Sequence, residues 1–367
     1  MRWHCFPVCL AFFFLALHAM AASADGSRDT VRTDQTTIGE RFIDRAYQVV
    51  KRFSQVDTNY IERQHYDYTF MMQSTTTYES YTMGTSDNQT IELSPDLSVK
   101  VGPYVGWRWV FLGYTLDLSH VSNGHRKHDV TASFYSNQVG VDLFYRTLGS
   151  GFKIRKMKMG HGINTAPMRD VPFNGFAASV KGFNLYYIFN HRRFSYPAAF
   201  SQSTNQRRSC GSWLAGFSVT KHDIHFDHDE MARLLRNRVG EHAVVVHDSM
   251  LSPDKTHYTD ISLSAGYAYN WVFAHNWLAA ISFSAALGYK RSSGTSLRER
   301  ISWKDFTVKN YNLDGIGRMA IVWNNTRWYA GMNGVMHTYR YRKSRFSANS
   351  VFGNFNLYVG MNFGKRR

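Results

Sequence analysis

The chain has 367 residues, of which 16% are aromatic (26 Phe, 22 Tyr and 9 Trp), and its mean hydropathy is −0.37. After the first two dozen residues, no stretch is long and apolar enough for a transmembrane helix, which excludes a helical membrane protein. With 43 Lys and Arg against 27 Asp and Glu the formal net charge is +16. Such a charge suits nucleic acid; an export signal at the start argues against that partner and favours the anionic phosphates of lipopolysaccharide.

That signal is Arg2, an apolar run from Phe6 to Leu17, and the small residues Ala19-Met20-Ala21-Ala22. The apolar run is too short to span a bilayer and the A-x-A pattern follows it, so residues 1–24 read as a cleaved secretory signal. Cys5 and Cys9 leave with it, and Cys210 alone allows no intramolecular disulfide. Residues 25–64 read as a periplasmic segment, polar to about residue 36. There Ile38, Phe42, Ile43, Ala46, Tyr47, Val49, Val50 and Phe53 recur at the spacing of an amphipathic helix.

From residue 65 to residue 363 the period changes from helical to two. Strands are predicted at Tyr66–Tyr81, Asp96–Trp107, Phe111–Ser122, His128–Tyr135, Val139–Thr147, Lys181–Asn190 and Gly211–Lys221. Five more follow at Asp260–Phe273, Trp277–Tyr289, Phe306–Trp323, Trp328–Tyr341 and Ser347–Phe363. In the eighth of these strands the alternation is plain: Ile261, Leu263, Tyr267, Tyr269 and Trp271 fall on one face, Ser262, Ser264 and Asn270 on the other. One apolar, aromatic face on about twelve strands predicts an all-β transmembrane antiparallel up-and-down barrel. The last strand places Val351, Phe355, Leu357, Val359, Met361 and Phe363 on its apolar face. It resembles the C-terminal signal of outer-membrane barrels, which implies the barrel-assembly machinery as a partner. Residues 364–367 form a basic tail.

Connection lengths give a second test. The turns at 108–110, 136–138, 274–276 and 324–327 are short; those at 83–95, 148–178, 222–258 and 290–305 are long. Short periplasmic turns and long outer loops place both termini in the periplasm and the barrel in the cell outer membrane. Only 191–210 breaks the alternation. Pro197 disfavours an interior strand there, so this segment reads as an ordered connection folded under the barrel.

The stretches Asp57-Thr58-Asn59-Tyr60-Ile61, Gly182-Phe183-Asn184-Leu185-Tyr186-Tyr187 and Asn190–Phe200 resemble an uncharacterised Bacteroidetes-type outer-membrane barrel family, a domain of unknown function. The resemblance implies fold and location from about residue 57 onward, and no activity.

Three constellations carry possible chemistry. His120-Val121-Ser122-Asn123-Gly124 is similar to the His-x-Ser-Asn-Gly motif of outer membrane phospholipase A, with a related motif in lipid A deacylase. That likeness implies Ser122 as nucleophile, His120 as base, backbone N–H groups near Asn123 and Gly124 as oxyanion hole, and calcium as the only cofactor. Those enzymes carry a polar orienting residue about twelve positions after the serine, where this chain has Phe134, and the alternative is a polar rim and turn. His222, His225 and His228, with Asp223, Asp227 and Asp229, have a ligand-like spacing; on a strand it sends alternate histidines to opposite faces, so no metal site is expected. The inward positions Lys100, Asp117, Asp142, Arg146, Asp314 and Arg318 mix both signs, which predicts cross-barrel ion pairs rather than an ion-selective pore. The expected role is therefore non-enzymatic (envelope structure, binding or restricted transport), with an outer-leaflet lipid acyl hydrolase as the alternative. The sequence does not set the oligomeric state.

Overall fold

The computed structural model describes residues 56–365 apart from 86–88, 108–109, 114–115, 118–127, 149–150, 161, 249–254, 293–310 and 344–345. In chain order the strands are β1 (Ile61–Arg63), β2 (Tyr66–Thr85), β3 (Thr90–Pro95), β4 (Ser98–Trp107), β5 (Val110–Gly113), β6 (Leu116–Asp117), β7 (His128–Tyr135), β8 (Val139–Leu148), β9 (Phe152–Lys158) and β10 (Val171–Pro172). They continue with β11 (Phe176–Ile188), β12 (Thr204–Gln206), β13 (Cys210–Phe226), β14 (Lys255–Ala274), β15 (Trp277–Ser292), β16 (Tyr311–Asn324), β17 (Trp328–Lys343) and β18 (Phe346–Lys365). Among the described residues three α-helices interrupt them: α1 (Tyr196–Phe200), α2 (His228–Arg238) and α3 (Glu241–Asp248).

Neighbours in sequence pair antiparallel from β7 through β8, β11, β13, β14, β15, β16 and β17 to β18; β18 then pairs with β2, and β2 with β4. β4 carries β5 and β6 at the far edge. Counting β5 and β6 as one broken strand, the twelve expected strands form one curled, barrel-like antiparallel sheet. The curl is visible in contacts between strands far apart in the sheet. Asp142 on β8 reaches Arg318 on β16 at 2.6 Å, and Phe144 on β8 meets Phe352 on β18 at 6.1 Å.

The period of two explains which side is which. On β14 the apolar set Ile261, Leu263, Tyr267, Tyr269 and Trp271 is exposed on the convex face, while Ser262, Ala268 and Asn270 are buried in the concavity. On β15 Ile281, Phe283 and Leu287 point out and Ser282 and Ser284 point in. A soluble sheet buries its apolar face; this one turns it outward.

The convex face is not uniform along the strands. Phe189, Trp213, Trp271, Phe273, Trp277, Trp328, Phe363 and Tyr68 are exposed beside the short turns, at the end where β2 begins and β18 stops. Tyr68 and Phe363 stack there at 5.6 Å. The opposite strand ends carry charge instead, Lys181, Lys221, Lys255 and Arg340 among them.

The long connections are built rather than loose. β3, β9 and β10 extend the sheet from the upper half of β2, because Ile91, Leu93, Phe152 and Ile154 alternate inward and are fully buried or nearly so. Asp227 caps α2, its carboxylate accepting from the Glu230 N–H at 2.9 Å. Met231 and Leu235 of α2 then pack with Ala243 and Val244 of α3, Phe173, Phe176 and Tyr81 in one cluster.

Outside the apolar band, Asp96 joins β3 to β4 and accepts from Lys153 Nζ at 2.6 Å and Arg155 Nη2 at 2.8 Å. The Lys153 ammonium and the Arg155 guanidinium hold its carboxyl below the usual carboxylate range. A depressed folded pKa adds stability above the unfolded value, about 3.9, and that contribution fades as pH falls through the folded value. The β3–β9 extension is therefore expected to be unchanged from pH 7 to 5 and to loosen only below about pH 4. An NMR titration of the Asp96 carboxyl carbon checks this; a midpoint at or above 3.9 sinks it.

Candidate functional site

The concavity is filled at successive levels, and the filling begins at the short-turn end with the segment that broke the loop-length rule. The β11–β13 connection turns inward rather than beneath the sheet. Ser195 caps α1, accepting from the Ala198 N–H at 3.3 Å, and Pro197 sits in the first turn where its missing N–H costs nothing. Tyr196 is fully buried, and its hydroxyl meets the Ser282 hydroxyl at 2.5 Å. Ala198 and Ala199 pack on Leu278, Ala280, Ala320 and Val322; Phe194 and Tyr196 pack on Tyr186, Ile188, Leu214 and Ala268. Pro and two alanines in an aromatic frame make the segment slim enough to enter.

Polar groups fix its depth. Asn270 Nδ2 donates to the Ser195 carbonyl at 2.8 Å, and Gln202 Nε2 to the Tyr358 hydroxyl at 2.7 Å. β12 pairs with β1, and the Asp57 N–H donates to the Arg192 carbonyl at 2.8 Å. Arg193 and Arg208 lie over the Tyr60 ring at 5.1 and 5.9 Å. Residues 57–63 thus strap the segment in place, which joins two of the stretches that carried the family resemblance.

Above this plug the Asp142 carboxylate accepts from Arg318 at 2.6 Å and from Asn184 at 3.4 Å, and Arg318 also lies over Tyr186 at 4.9 Å. Arg146 covers Phe352 at 5.1 Å, and His337 stacks on the same Phe352 ring and on Tyr339. Nearer the charged end, Lys290 Nζ donates to Asp314 at 2.8 Å and to the Arg340 carbonyl, with Asp260 at 3.9 Å. Gly288 makes this cluster possible: a Cβ there would lie 2.5 Å from Asp260 Oδ1 and 2.9 Å from Asp314 Oδ2. His222, Tyr258 and Tyr341 then stack at 4.5 Å spacings.

Of the sequence-predicted lumen residues, Asp142, Arg146, Asp314 and Arg318 are buried in the concavity, and Asp142 and Arg318 form one pair. Lys100 faces Asp117 in the β4–β6 register. His120, Ser122, Asn123 and Gly124 lie outside the described residues, as do the signal and the residue 38–53 helix. His222 and His225 take opposite faces of β13, whereas His228 begins α2; His222 is buried, and Asp223, one step on, faces outward and pairs with His257 at 2.6 Å. Among the described residues no three His, Cys, Asp or Glu gather as a metal site. Cys210 is half-buried and accepts from Asn190 Nδ2 at 3.1 Å.

Asp260, Lys290, His337 and Tyr196 escaped the reading of the sequence. Asp260 lies two positions before the inward Ser262 and Lys290 six after the inward Ser284, so strand parity points to both. Tyr196 sits in a turn, where no periodicity points anywhere.

A curled twelve-strand sheet with an apolar convex face and a packed, ion-paired interior defines the class: a filled, barrel-like β-protein. The chain belongs to the family described as Domain of unknown function (DUF4421), which it matches over residues 55–363. No curated protein matches it. Among solved structures it is similar to the outer membrane protease OmpT from Escherichia coli, at 7% identity over 81% of this chain and 97% of that one, with a TM-score of 0.33. It is also similar to an outer membrane channel from Pseudomonas putida F1, at 9% identity over 82% and 97%, TM-score 0.28. A third is the Pseudomonas putida toluene transporter TodX, at 9% identity over 82% and 91%, TM-score 0.20.

Proposed function

We propose that this protein is an outer-membrane β-barrel of non-enzymatic role, a non-conducting envelope protein that braces the membrane and binds its lipids. The observation that carries the reading is the inside-out side-chain pattern: apolar residues on the convex face and a buried Asp142–Arg318 pair across the concavity. Exposed tryptophan on this scale costs a soluble protein its solubility, and in a bilayer it sits at the headgroup level. The tryptophan-rich short-turn end faces the periplasm, with both ends of the barrel chain, and the charged end faces out. The terminal strand, ending at Phe363, is the part offered to the barrel-assembly machinery. The interior needs no cofactor for this role.

Two measurements test it. Purified protein is expected to migrate differently on a gel when boiled and unboiled, and to fractionate with the outer membrane. In planar bilayers it is expected to give no steady conductance, since side chains meet across the interior at the Asp142–Arg318, Phe144–Phe352 and His222–Tyr339 levels. Release into the soluble periplasm, or a stable open channel, overturns the reading.

A further inference from the structure

Two lysines stand directly opposite each other on the convex face. Lys181 on β11 pairs in register with Lys221 on β13, and both side chains are exposed. Directly opposed residues of an antiparallel pair hold their Cβ atoms about 4.5–5.5 Å apart, and like charges there are destabilising. Among the described residues neither ammonium forms an ion pair, and the nearby carboxylate, Asp223, is held by His257 at 2.6 Å. The two strands keep an unbroken antiparallel register here, from Phe176 opposite Phe226 to Ile188 opposite Leu214. At Gly182, next to Lys181, a Cβ would lie 2.3 Å from the Val219 carbonyl oxygen, so the two strands are pressed together at this point.

The location gives the repulsion a purpose. One step toward the short turns, the same face presents Phe183, Val219 and Ile261; one step the other way, it presents Ser179, Asp223 and His257. The lysines thus mark the line where the apolar band ends. Tyr145 and Thr259 flank them in the same cross-strand row. A phosphate between two ammonium groups turns a destabilising pair into two charge-assisted contacts, and the acyl chains below such a headgroup would run along the apolar rows.

We propose that Lys181 and Lys221 form a binding site for the phosphate of a lipid A-type glycolipid in the outer leaflet. The site rests on the envelope-barrel reading and on the charged end facing out. Bisphosphoryl lipid A is expected to bind the protein in neutral detergent about tenfold or more tighter than its dephosphorylated form, and less tightly as salt rises. The Lys181→Gln/Lys221→Gln double variant is expected to lose that preference. In detergent without lipid, Lys181→Gln is expected to raise the thermal midpoint by removing the repulsion, and to forfeit the rise that lipid A gives the wild type. A merely structural lysine would show neither change. Equal binding of the two lipids by wild-type protein overturns the site without any variant, as does an unchanged preference in the double variant. Orientation is read separately, from maleimide labelling of Lys181→Cys in a Cys210→Ser background. Labelling in intact cells is expected; labelling only after permeabilisation overturns the outer-leaflet assignment and the orientation together, while phosphate preference in detergent would survive.

Discussion

Tyr196→Ala is expected to loosen the plug and destabilise the whole sheet by about 3–5 kcal/mol, the cost of deleting a fully buried large aromatic side chain. Tyr196 has no solvent exposure, stacks on Phe200 at 5.3 Å, and meets Phe194 and Tyr186 edge-on or tilted within about the same distance. Its loss also leaves the Ser282 hydroxyl without its 2.5 Å partner. What remains is two alanines on an apolar wall and a few side-chain hydrogen bonds, each worth only about 1 kcal/mol net. The plug then spends a measurable fraction of time undocked. Arg192, Arg193, Arg207 and Arg208 flank the segment, so trypsin reads the change directly: cleavage there should be much faster in the variant than in wild type. Conductance should stay low, because rings still meet across the interior beyond the plug, Phe144 with Phe352 at 6.1 Å and His222 with Tyr339 at 5.0 Å. Unchanged trypsin resistance would show that the strap of residues 57–63, not Tyr196, holds the segment.

The strands were legible because their environment alternates with the side chains. Ile261 to Trp271 on β14 and Phe355 to Phe363 on β18 face outward in the structure as their parity predicts. Parity also placed Asp142 and Arg318 on the inward face. It did not pair them, because partner choice across a lumen depends on curl and stagger, neither of which is written in a single strand. The plug was half legible. Loop length and Pro197 marked the segment as unusual; its inward turn depends on Tyr196 finding Ser282, 86 residues away. The long connections carry no strand signal of their own because β3, β9 and β10 are short and bury one face against helices that no strand pattern announces. The histidines of 222–228 taught the converse lesson. Their spacing suggested ligands, yet a period of three on a strand separates what it gathers on a helix.

The second large effect lies in the Asp142–Arg318 pair. Both side chains are nearly inaccessible, at 6% and 3% exposure, and they meet at 2.6 Å between strands on opposite sides of the interior. Desolvating two charges costs several kcal/mol each, and the contact offsets that only while both partners are present. Asp142→Ala leaves the buried Arg318 guanidinium without this carboxylate; Arg318→Met leaves the buried Asp142 carboxylate without this guanidinium. Each single change is expected to cost about 3–5 kcal/mol. Replacing both, as Asp142→Leu with Arg318→Met, removes the stranded charge in either direction and is expected to cost far less than the two singles added together. By contrast, breaking the exposed Arg236–Glu241 contact at 2.8 Å on the α2–α3 cap should leave stability unchanged within error. Urea unfolding in lipid vesicles measures all four proteins on one scale. Single variants that each cost under about 1 kcal/mol, or a double variant whose cost is simply additive, would mean that water reaches this level and that the interior is not packed shut there.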